Sequence, residues 1–340
     1  MHRVILHDLH PSEYEHPTDR VTLEVLRQIP LVPKLLELIN IPQSMIRRTE
    51  LLGSNLRVNE RQLPSVYKMM RQACEVMEVD EPLLYVSSAP ELNAFTTCPD
   101  KPIVCIHGDL LDAMEHNEIM FVIGHELAHI KSQHIIYKML GGILAENILN
   151  TVLSTVPGLA TFSGAAVIAL NYAYFEWSRA AEFSCDRGGY LACQDFGASC
   201  KALMKLAGAS KRYINELNLK EFIAQARDFK DMDSSALGVI QKVILSYGRS
   251  HPWSVSRVNE LINFYQTGGY NDVLHRKTLR DPAEIAAMPE TAYTTTPSIA
   301  DSATEAFDKA SIIAKGAVTG LTKSLKKLAE KSDDSRTDEN

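Results

Sequence analysis

The sequence predicts an α+β fold that is mostly helical, with a small antiparallel sheet next to one central helix. Apolar residues recur at helical spacing over residues 117–137 and 172–193. Three short segments before residue 117 are instead typical of β-strands: 83–88, 92–97 and 103–107. Because these segments directly precede the helix at 117–137, we expect the sheet to pack beside it.

The length of the chain allows one large domain with appendages. The chain has 340 residues, of which 45% are hydrophobic and 23% charged, and its formal net charge is −7. The mild negative charge argues against a general nucleic-acid binder, which would present a basic surface. We predict an N-terminal helical arm over residues 1–50, a main domain over 51–270 and a C-terminal extension over 271–340.

The cysteines indicate a reducing compartment. The chain has six cysteines and no C-x-x-C pair, so free thiols in the cytoplasm are the simplest interpretation. The first 16 residues contain no continuous apolar core, so we predict no secretory signal. The predicted location is therefore cytoplasmic, with membrane association left open.

Two features precede the predicted sheet. Four histidines are clustered near the N-terminus, and their spacing matches no helical or finger pattern, which favours an irregular surface arm over a second metal site: His2, His7, His10 and His16. Pro64 then opens a helix to about residue 79, whose apolar stripe includes three methionines. Such methionines are more typical of a core than of a binding surface.

The central helix carries the most informative motif. Residues 125–129 read His-Glu-Leu-Ala-His, which is an H-E-x-x-H pattern. Histidines four positions apart project from one face of a helix, so both imidazoles can reach the same metal ion. Glu126, beside the first histidine, can then accept a proton from water. The alternative is a surface helix with two unrelated histidines, which the small residues Gly124 and Ala128 disfavour.

A third protein ligand is expected, because a catalytic zinc site usually has three and keeps one open position. The extended motif H-E-x-x-H-x-x-G-x-x-H would require a glycine at position 132 and a histidine at position 135. The chain has Ser132 and Ile135 there, and His134 is one place off. This extension is therefore excluded.

A glutamate on a later helix is the other source of a third ligand. Glu182 and Asp186 are four positions apart and share one helix face. Glu182 would bind zinc, while Asp186 would accept a hydrogen bond from a ligating imidazole. The alternative is that both are solvated acids beside Arg179 and Arg187.

The order of these motifs resembles a known family. HELAH, then E-F-S-C-D at 182–186, then Ser250-His251-Pro252 and Arg257 are similar to the HtpX-type and CAAX prenyl protease-type zinc endopeptidases, which are gluzincins. The resemblance covers roughly residues 50–265. Asn93, Ala94 and Phe95, followed by the sequence His-Gly-Asp-Leu-Leu at 107–111, also resemble a conserved block of that family.

The resemblance implies a zincin-like metalloprotease fold and one Zn²⁺ per chain. It implies that His125, His129 and Glu182 are the zinc ligands and that Glu126 is the general base. It places His251 near the oxyanion, and it places Asp186 and Arg257 around the ligands.

The implied function is that of a zinc-dependent endopeptidase acting on proteins or peptides, in protein quality control. We expect the substrate to pair with an edge strand at Asn93, Ala94 and Phe95. An aminopeptidase is an alternative, but it would need an acidic pocket that the sequence does not indicate. A non-proteolytic zinc-binding adaptor is another, although a purely structural site would not need Glu126.

Two segments could contact membranes or other subunits. Residues 139–175 form an apolar insert that Pro157 and Gly158 divide, so we expect a helical hairpin. Its two halves are short for bilayer spans, which favours packing on the domain, at an oligomer interface or in a bilayer surface. Residues 303–331 resemble a basic amphipathic helix, for which lipid binding and a frayed tail are equally open.

Overall fold

The protein is described by a computed structural model over residues 3–29, 31–145, 164–232 and 252–275. The helices in these ranges are α1 (Pro17–Gln28), α2 (Leu31–Ser54), α3 (Pro64–Met77), α4 (Gly108–Ala113), α5 (His116–Lys131), α6 (His134–Ala145), α7 (Gly164–Cys193), α8 (Phe196–Leu206), α9 (Leu219–Asp231), α10 (Ser254–Gln266) and α11 (Gly269–Leu274). The strands are β1 (Leu56–Arg57), β2 (Leu83–Ser87), β3 (Ala94–Thr97) and β4 (Ile103–His107). The predicted fold class, mostly helical with a small sheet beside the motif helix, is confirmed.

The sheet is mixed, so the purely antiparallel arrangement was wrong. Its strand order is β1-β2-β4-β3, and β2 runs parallel to β4 while the other pairs are antiparallel. The chain reverses twice between β2 and β4, and β4 lies between β2 and β3. β3 is therefore an edge strand of the described sheet, and it contacts α5.

The helix predicted over 117–137 is divided into α5 and α6. The division lies at Ser132 and Gln133, and Gln133 has a left-handed φ of 56°. The Ser132 hydroxyl is hydrogen-bonded to the Tyr14 hydroxyl at 2.9 Å, which ties this bend to the N-terminal segment. A residue with positive φ cannot continue a right-handed helix, so His134 starts a new helix in a different direction.

The main hydrophobic core forms where α3, α5 and α7 meet. The methionines of α3 are buried there, as expected for core residues: Met69, Met70 and Met77. α5 is buried along almost its whole length from Glu118 to His129. The motif histidines thus lie on a helix that is enclosed by neighbours.

The N-terminal segment packs against the rest of the described chain. Leu6 and Tyr14 belong to the main core. In a second core cluster, Leu26 of α1 and Leu31 of α2 pack with Trp177 of α7. The boundaries of the predicted domains stay a prediction.

The apolar insert is described only at its two ends, in α6 and in the first turns of α7. Residues 146–163, with Pro157 and Gly158, lie outside the described residues, as does 303–331. In the described ranges, no helix combines the length and the apolar character that crossing a bilayer requires. The predicted membrane and oligomer contacts therefore stay predictions.

Candidate metal centre

Glycines allow α5 and α7 to approach closely. A Cβ atom on Gly188 of α7 would lie 2.5 Å from the Cβ of Ala128, and one on Gly124 of α5 would lie 2.2 Å from the Cβ of Ala192. Both distances are shorter than carbon atoms that are not bonded to each other can approach, so larger side chains at these positions would push the two helices apart. The close approach places Glu182 of α7 against the motif histidines of α5.

The three predicted ligands are brought together. Nε2 of His125 lies 3.5 Å from Oε2 of Glu182, and Nε2 of His129 lies 3.3 Å from Oε1 of Glu182. All three side chains are buried. A tetrahedral zinc ion with bonds of about 2.0–2.1 Å separates its ligand atoms by about 3.3 Å. The spacing and chemistry of these donors therefore fit a zinc ion.

Nδ1 of His125, the ring nitrogen that does not face Glu182, lies next to a buried ion pair. Nδ1 of His125 lies 3.0 Å from Oδ1 of Asp186. Arg257 of α10 donates from both sides of its guanidinium to Asp186, at 2.8 Å from Nε to Oδ2 and 2.6 Å from Nη2 to Oδ1. Such a forked pair fixes the carboxylate in one orientation. The structure thus brings Asp186 and Arg257 to the positions that the resemblance implied.

The charges of this group stabilise one another. Burial by itself would raise the pKa of Asp186, but the guanidinium of Arg257 outweighs it and holds that pKa below its usual value. Burial would also lower the pKa of His125, yet its hydrogen bonds to Asp186 and Glu182 raise the pKa to about 9. A metal ion at Nε2 of His125 would therefore replace a proton that this ring holds at neutral pH.

Lys138 of α6 places an ammonium among the ligands. Its Nζ lies 2.6 Å from Oε1 of Glu182 and 3.0 Å from Nε2 of His129. Burial and this neighbouring positive charge keep the pKa of His129 well below its usual value, so the ring is neutral, as a metal ligand must be. The ammonium and a metal ion would compete for the same donor atoms.

His129 has two neighbours at its outer nitrogen. Its Nδ1 lies 3.1 Å from Nδ1 of His134 and 3.1 Å from Sγ of Cys185. Burial raises the pKa of the Cys185 thiol well above its usual value, so the sulfur is protonated. Cys185 nevertheless lies close enough to His125 and His129 for the three residues to offer donor atoms within 4.8 Å of one another.

Glu126 faces a hydroxyl group of the sheet. Its Oε2 accepts a hydrogen bond of 2.6 Å from Oγ1 of Thr96 on β3. This bond holds one carboxylate oxygen and fixes the plane of the group. Ala94, two positions earlier on the strand, has its side chain on the same face of the sheet as Thr96.

A cavity of about 430 Å³ opens beside these residues. His125, Glu126 and Glu182 form part of its wall. The rest of the wall comes from residues just before and at the start of β3 and from residues on or next to α8, α9 and α10. These residues include Leu92, Asn93, Ala94, Leu206, Phe222, Trp253 and Arg257. The cavity has the size of a small-molecule or side-chain binding site.

Two predicted residues are not placed at the cavity. His251 lies outside the described residues, although the neighbouring Pro252 lines the cavity wall. Phe95 points to the other side of the sheet, where it packs against the core cluster of Tyr85 and Cys105. The alternation of side chains along a strand explains this difference from Ala94.

The sequence alone did not assign a role at the site to Thr96, Lys138, His134 or Asp19. His134 was noticed only as a misplaced ligand. Only Lys138 offered a signal, because a lysine within an otherwise apolar helix is unusual. The others depend on contacts between distant segments.

The sequence is similar to those of known peptidases. Residues 59–264 match the sequence profile of Peptidase family M48. The chain is 29% identical over 276 residues to plastoglobule-localized metallopeptidase 48, chloroplastic, of Arabidopsis thaliana, in an alignment that covers 80% of this chain and 78% of that protein. No solved structure matches the chain.

Two bacterial relatives match over shorter lengths. A protease HtpX homolog of Pelotomaculum thermopropionicum is 26% identical over 184 residues, which cover 47% of this chain and 65% of that protein. Another, of Streptococcus pyogenes serotype M3, is 29% identical over 115 residues, which cover 33% of this chain and 38% of that protein. The chain thus covers less than two thirds of either HtpX homolog.

The family profile spans strands β2 to β4, the H-E-x-x-H helix, the glutamate helix and Arg257, which are the elements that build the candidate metal centre. From this match and the names of the relatives, the chain belongs to Peptidase family M48 and is a metallopeptidase, an enzyme that hydrolyses protein or peptide substrates.

Proposed function

We propose that the chain is a zinc-dependent endopeptidase whose metal ion is held by His125, His129 and Glu182. The observation that carries this proposal is the convergence of two Nε2 atoms and one carboxylate at 3.3 and 3.5 Å. Two imidazoles and one carboxylate form a donor set that suits a catalytic zinc ion. When bound, zinc supplies a Lewis acid that polarises a carbonyl group and makes water more acidic.

Glu126 is the proposed general base. Its carboxylate lines the cavity next to His125, within reach of a peptide carbonyl bound there. It would accept a proton from the attacking water and return that proton to the leaving amine. Thr96 holds one carboxylate oxygen, which leaves the other for proton transfer.

The edge strand β3 supports binding of an extended peptide. β3 pairs with β4 along one side, and within the described sheet it has no strand on its other side. A substrate strand could therefore pair with the backbone of residues 93–96 and lie beside Glu126. Backbone pairing reads sequence weakly, which suits an enzyme of protein quality control that cleaves unfolded chains.

His251 is proposed to donate a hydrogen bond to the developing oxyanion. The two residues that follow it in the sequence, Pro252 and Trp253, line the cavity. Its removal should lower kcat more than it changes KM, because the oxyanion exists only in the transition state.

The proposal is tested by measuring zinc content and cleavage of unfolded casein together. We expect one bound zinc ion in both the wild type and Glu126→Gln, and cleavage in the wild type alone. The loss of activity should be at least about 10²-fold, the range found for a general base. Glu75→Gln, a matched change at an exposed glutamate of α3, should leave both measurements unchanged.

Mass spectrometry of the products separates the two kinds of peptidase. Internal fragments from early time points would support an endopeptidase, whereas stepwise loss of N-terminal residues would establish an aminopeptidase instead. Zinc binding without cleavage of any unfolded substrate would contradict the proposed role in quality control. Cleavage by Glu126→Gln at the wild-type rate would remove Glu126 from the mechanism.

A further inference from the structure

We propose that Asp19 and His134 are positioning residues for His129, so that the N-terminal segment completes the metal site. This inference rests on the proposed function, because it takes His129 to bind the metal ion through Nε2. It assigns a role to two buried polar residues that the mechanism does not otherwise use. Asp19 and His134 are 1% and 0% exposed.

The bend between α5 and α6 brings His134 back to His129. Residues five positions apart on a continuous helix would point about 140° away from each other. The left-handed Gln133 breaks the helix, and the two Nδ1 atoms come to lie 3.1 Å apart. The rings of Trp177 and His134 pack edge to face, with their centroids 5.7 Å apart, which limits the movement of His134.

The positions of the protons follow from this contact. A neutral imidazole carries one proton, so metal binding through Nε2 of His129 places its proton on Nδ1. Both Nδ1 of His134 and Sγ of Cys185 lie 3.1 Å from this nitrogen. Because an imidazole nitrogen is a better acceptor than a thiol sulfur, the proton is assigned to the bond with Nδ1 of His134, which then carries its own proton on Nε2. Nε2 of His134 lies 3.2 Å from Oδ2 of Asp19. If His134 donated to His129 instead, the proton of His129 would lie on Nε2, where it would block metal binding.

Asp19 is held in place through its Oδ2 atom. The Ser184 hydroxyl, on α7 between the two acidic residues of the metal centre, donates to Oδ2 of Asp19 at 2.5 Å. The same hydroxyl accepts a hydrogen bond of 2.8 Å from the backbone N–H of His16. Asp19 also lies in the first turn of α1, where the helix dipole favours a negative charge.

The two metal-binding histidines thus have equivalent supports. His125 contacts Asp186, which Arg257 holds. His129 reaches Asp19 through His134. Asp186 orients its imidazole directly, whereas Asp19 acts on His129 through His134, and each carboxylate makes the histidine that it supports a stronger ligand.

A second metal site at Glu15, Asp19 and His134 is the competing interpretation. Donor atoms of these three residues lie within 4.8 Å of one another. A metal there would need the lone pair of His134 Nε2. The proton arrangement that frees His129 for the first metal occupies that position, so the positioning role and the second metal exclude each other.

The test is the zinc affinity of the full chain, measured by competition with a chromophoric chelator. We expect Asp19→Ala and His134→Gln to weaken zinc binding by about 10–100-fold, as found for other outer partners of metal ligands. Asp19→Asn should lose less, because it removes the charge but keeps a side chain of the same size, with an oxygen that can face Nε2 of His134. Glu15→Gln should bind one zinc ion with wild-type affinity.

A double-mutant cycle separates positioning from simple loss of stability. Asp19→Ala combined with His134→Gln should weaken zinc binding no more than the stronger single change, because both act through His129. When Asp19→Ala is combined with Asp186→Ala, the losses in the free energy of zinc binding should instead add, because the two residues act on different histidines. The absorption spectrum of bound Co²⁺ should change in Asp19→Asn while the unfolding midpoint of the metal-free protein stays near that of the wild type.

Several outcomes would overturn the inference. Zinc affinities within twofold of the wild type in all variants, with normal cleavage by the wild type, would remove the positioning role and leave the proposed function intact. Two zinc ions in the wild type and one in Glu15→Gln would establish the second metal site. A wild type that binds no zinc would overturn the proposed function and this inference together. If Asp19→Ala fails to fold, Asp19→Asn and His134→Gln carry the same comparison.

Discussion

Lys138 places a positive charge at the point where a metal ion would bind. Its ammonium is bonded to Glu182 and to Nε2 of His129, and its side chain is 24% exposed. This contact compensates a carboxylate that is fully buried. A metal ion bound by Glu182 and His129 would displace the lysine, so Lys138 should add to the free energy that binding has to overcome.

Replacing Lys138 should therefore strengthen metal binding. We expect Lys138→Met to bind zinc about tenfold more tightly, a change of about 1.4 kcal/mol. The metal-free variant should be less stable, because the buried Glu182 loses its partner. Chelator competition and thermal unfolding with and without zinc measure the two effects. Lys68→Met, at an exposed lysine of α3, is the control, and unchanged affinity in Lys138→Met would show that the lysine does not compete.

At the scale of elements, the contact between α5 and α7 determines the geometry of the site. The proposed ligands come from both helices, so the separation of the helices fixes the distance from Glu182 to the two histidines. The small residues at the contact, Gly124, Ala128, Gly188 and Ala192, allow this distance. A side chain added there acts on the metal centre without touching it.

Gly188→Ala tests this dependence. The new methyl group would lie 2.5 Å from the Cβ of Ala128, and such overpacking typically costs about 1–3 kcal/mol. We expect a lower free energy of unfolding in urea and weaker zinc binding. Gly53→Ala is the matched control, because a Cβ on this exposed helical glycine meets nothing within 4 Å. It should stabilise the protein by about 0.4–1 kcal/mol. Equal effects of the two changes would contradict the role of the close contact.

At the scale of the whole molecule, the described chain is held by packing without cross-links. All six cysteines are free and buried. Burial raises the pKa of each thiol, to about 12 for Cys74 and Cys200 and to about 11 for Cys105 and Cys193. Since the thiolate is the reactive form, a raised pKa and burial both protect these groups.

Thiol reactivity should therefore report global unfolding. Between pH 7 and 9, we expect no rapid reaction of the native protein with a thiol reagent, because the thiolate fraction stays small below these raised pKa values. In denaturant, all six thiols should react, at a rate that rises as pH approaches about 8.5. A reductant should leave the unfolding temperature unchanged. A rapidly reacting native thiol would identify a site that opens locally.

The sequence by itself determined the features that depend on local periodicity. H-E-x-x-H places two histidines on one face of α5, and the four-residue spacing of Glu182 and Asp186 does the same on α7. The methionine stripe of α3 and the three strands before α5 follow from the same kind of pattern. Together with the family resemblance, this was sufficient to predict the fold class, and it supplied the residues proposed here for the metal centre.

Only the tertiary structure decided how distant segments meet. The insertion of β4 between β2 and β3 made the sheet mixed, and the bend at Gln133 turned His134 towards His129. Asp19 reaches Ser184 across 165 positions of sequence. Helical and strand periodicities are encoded by neighbouring residues, whereas such contacts depend on the packing of the whole chain.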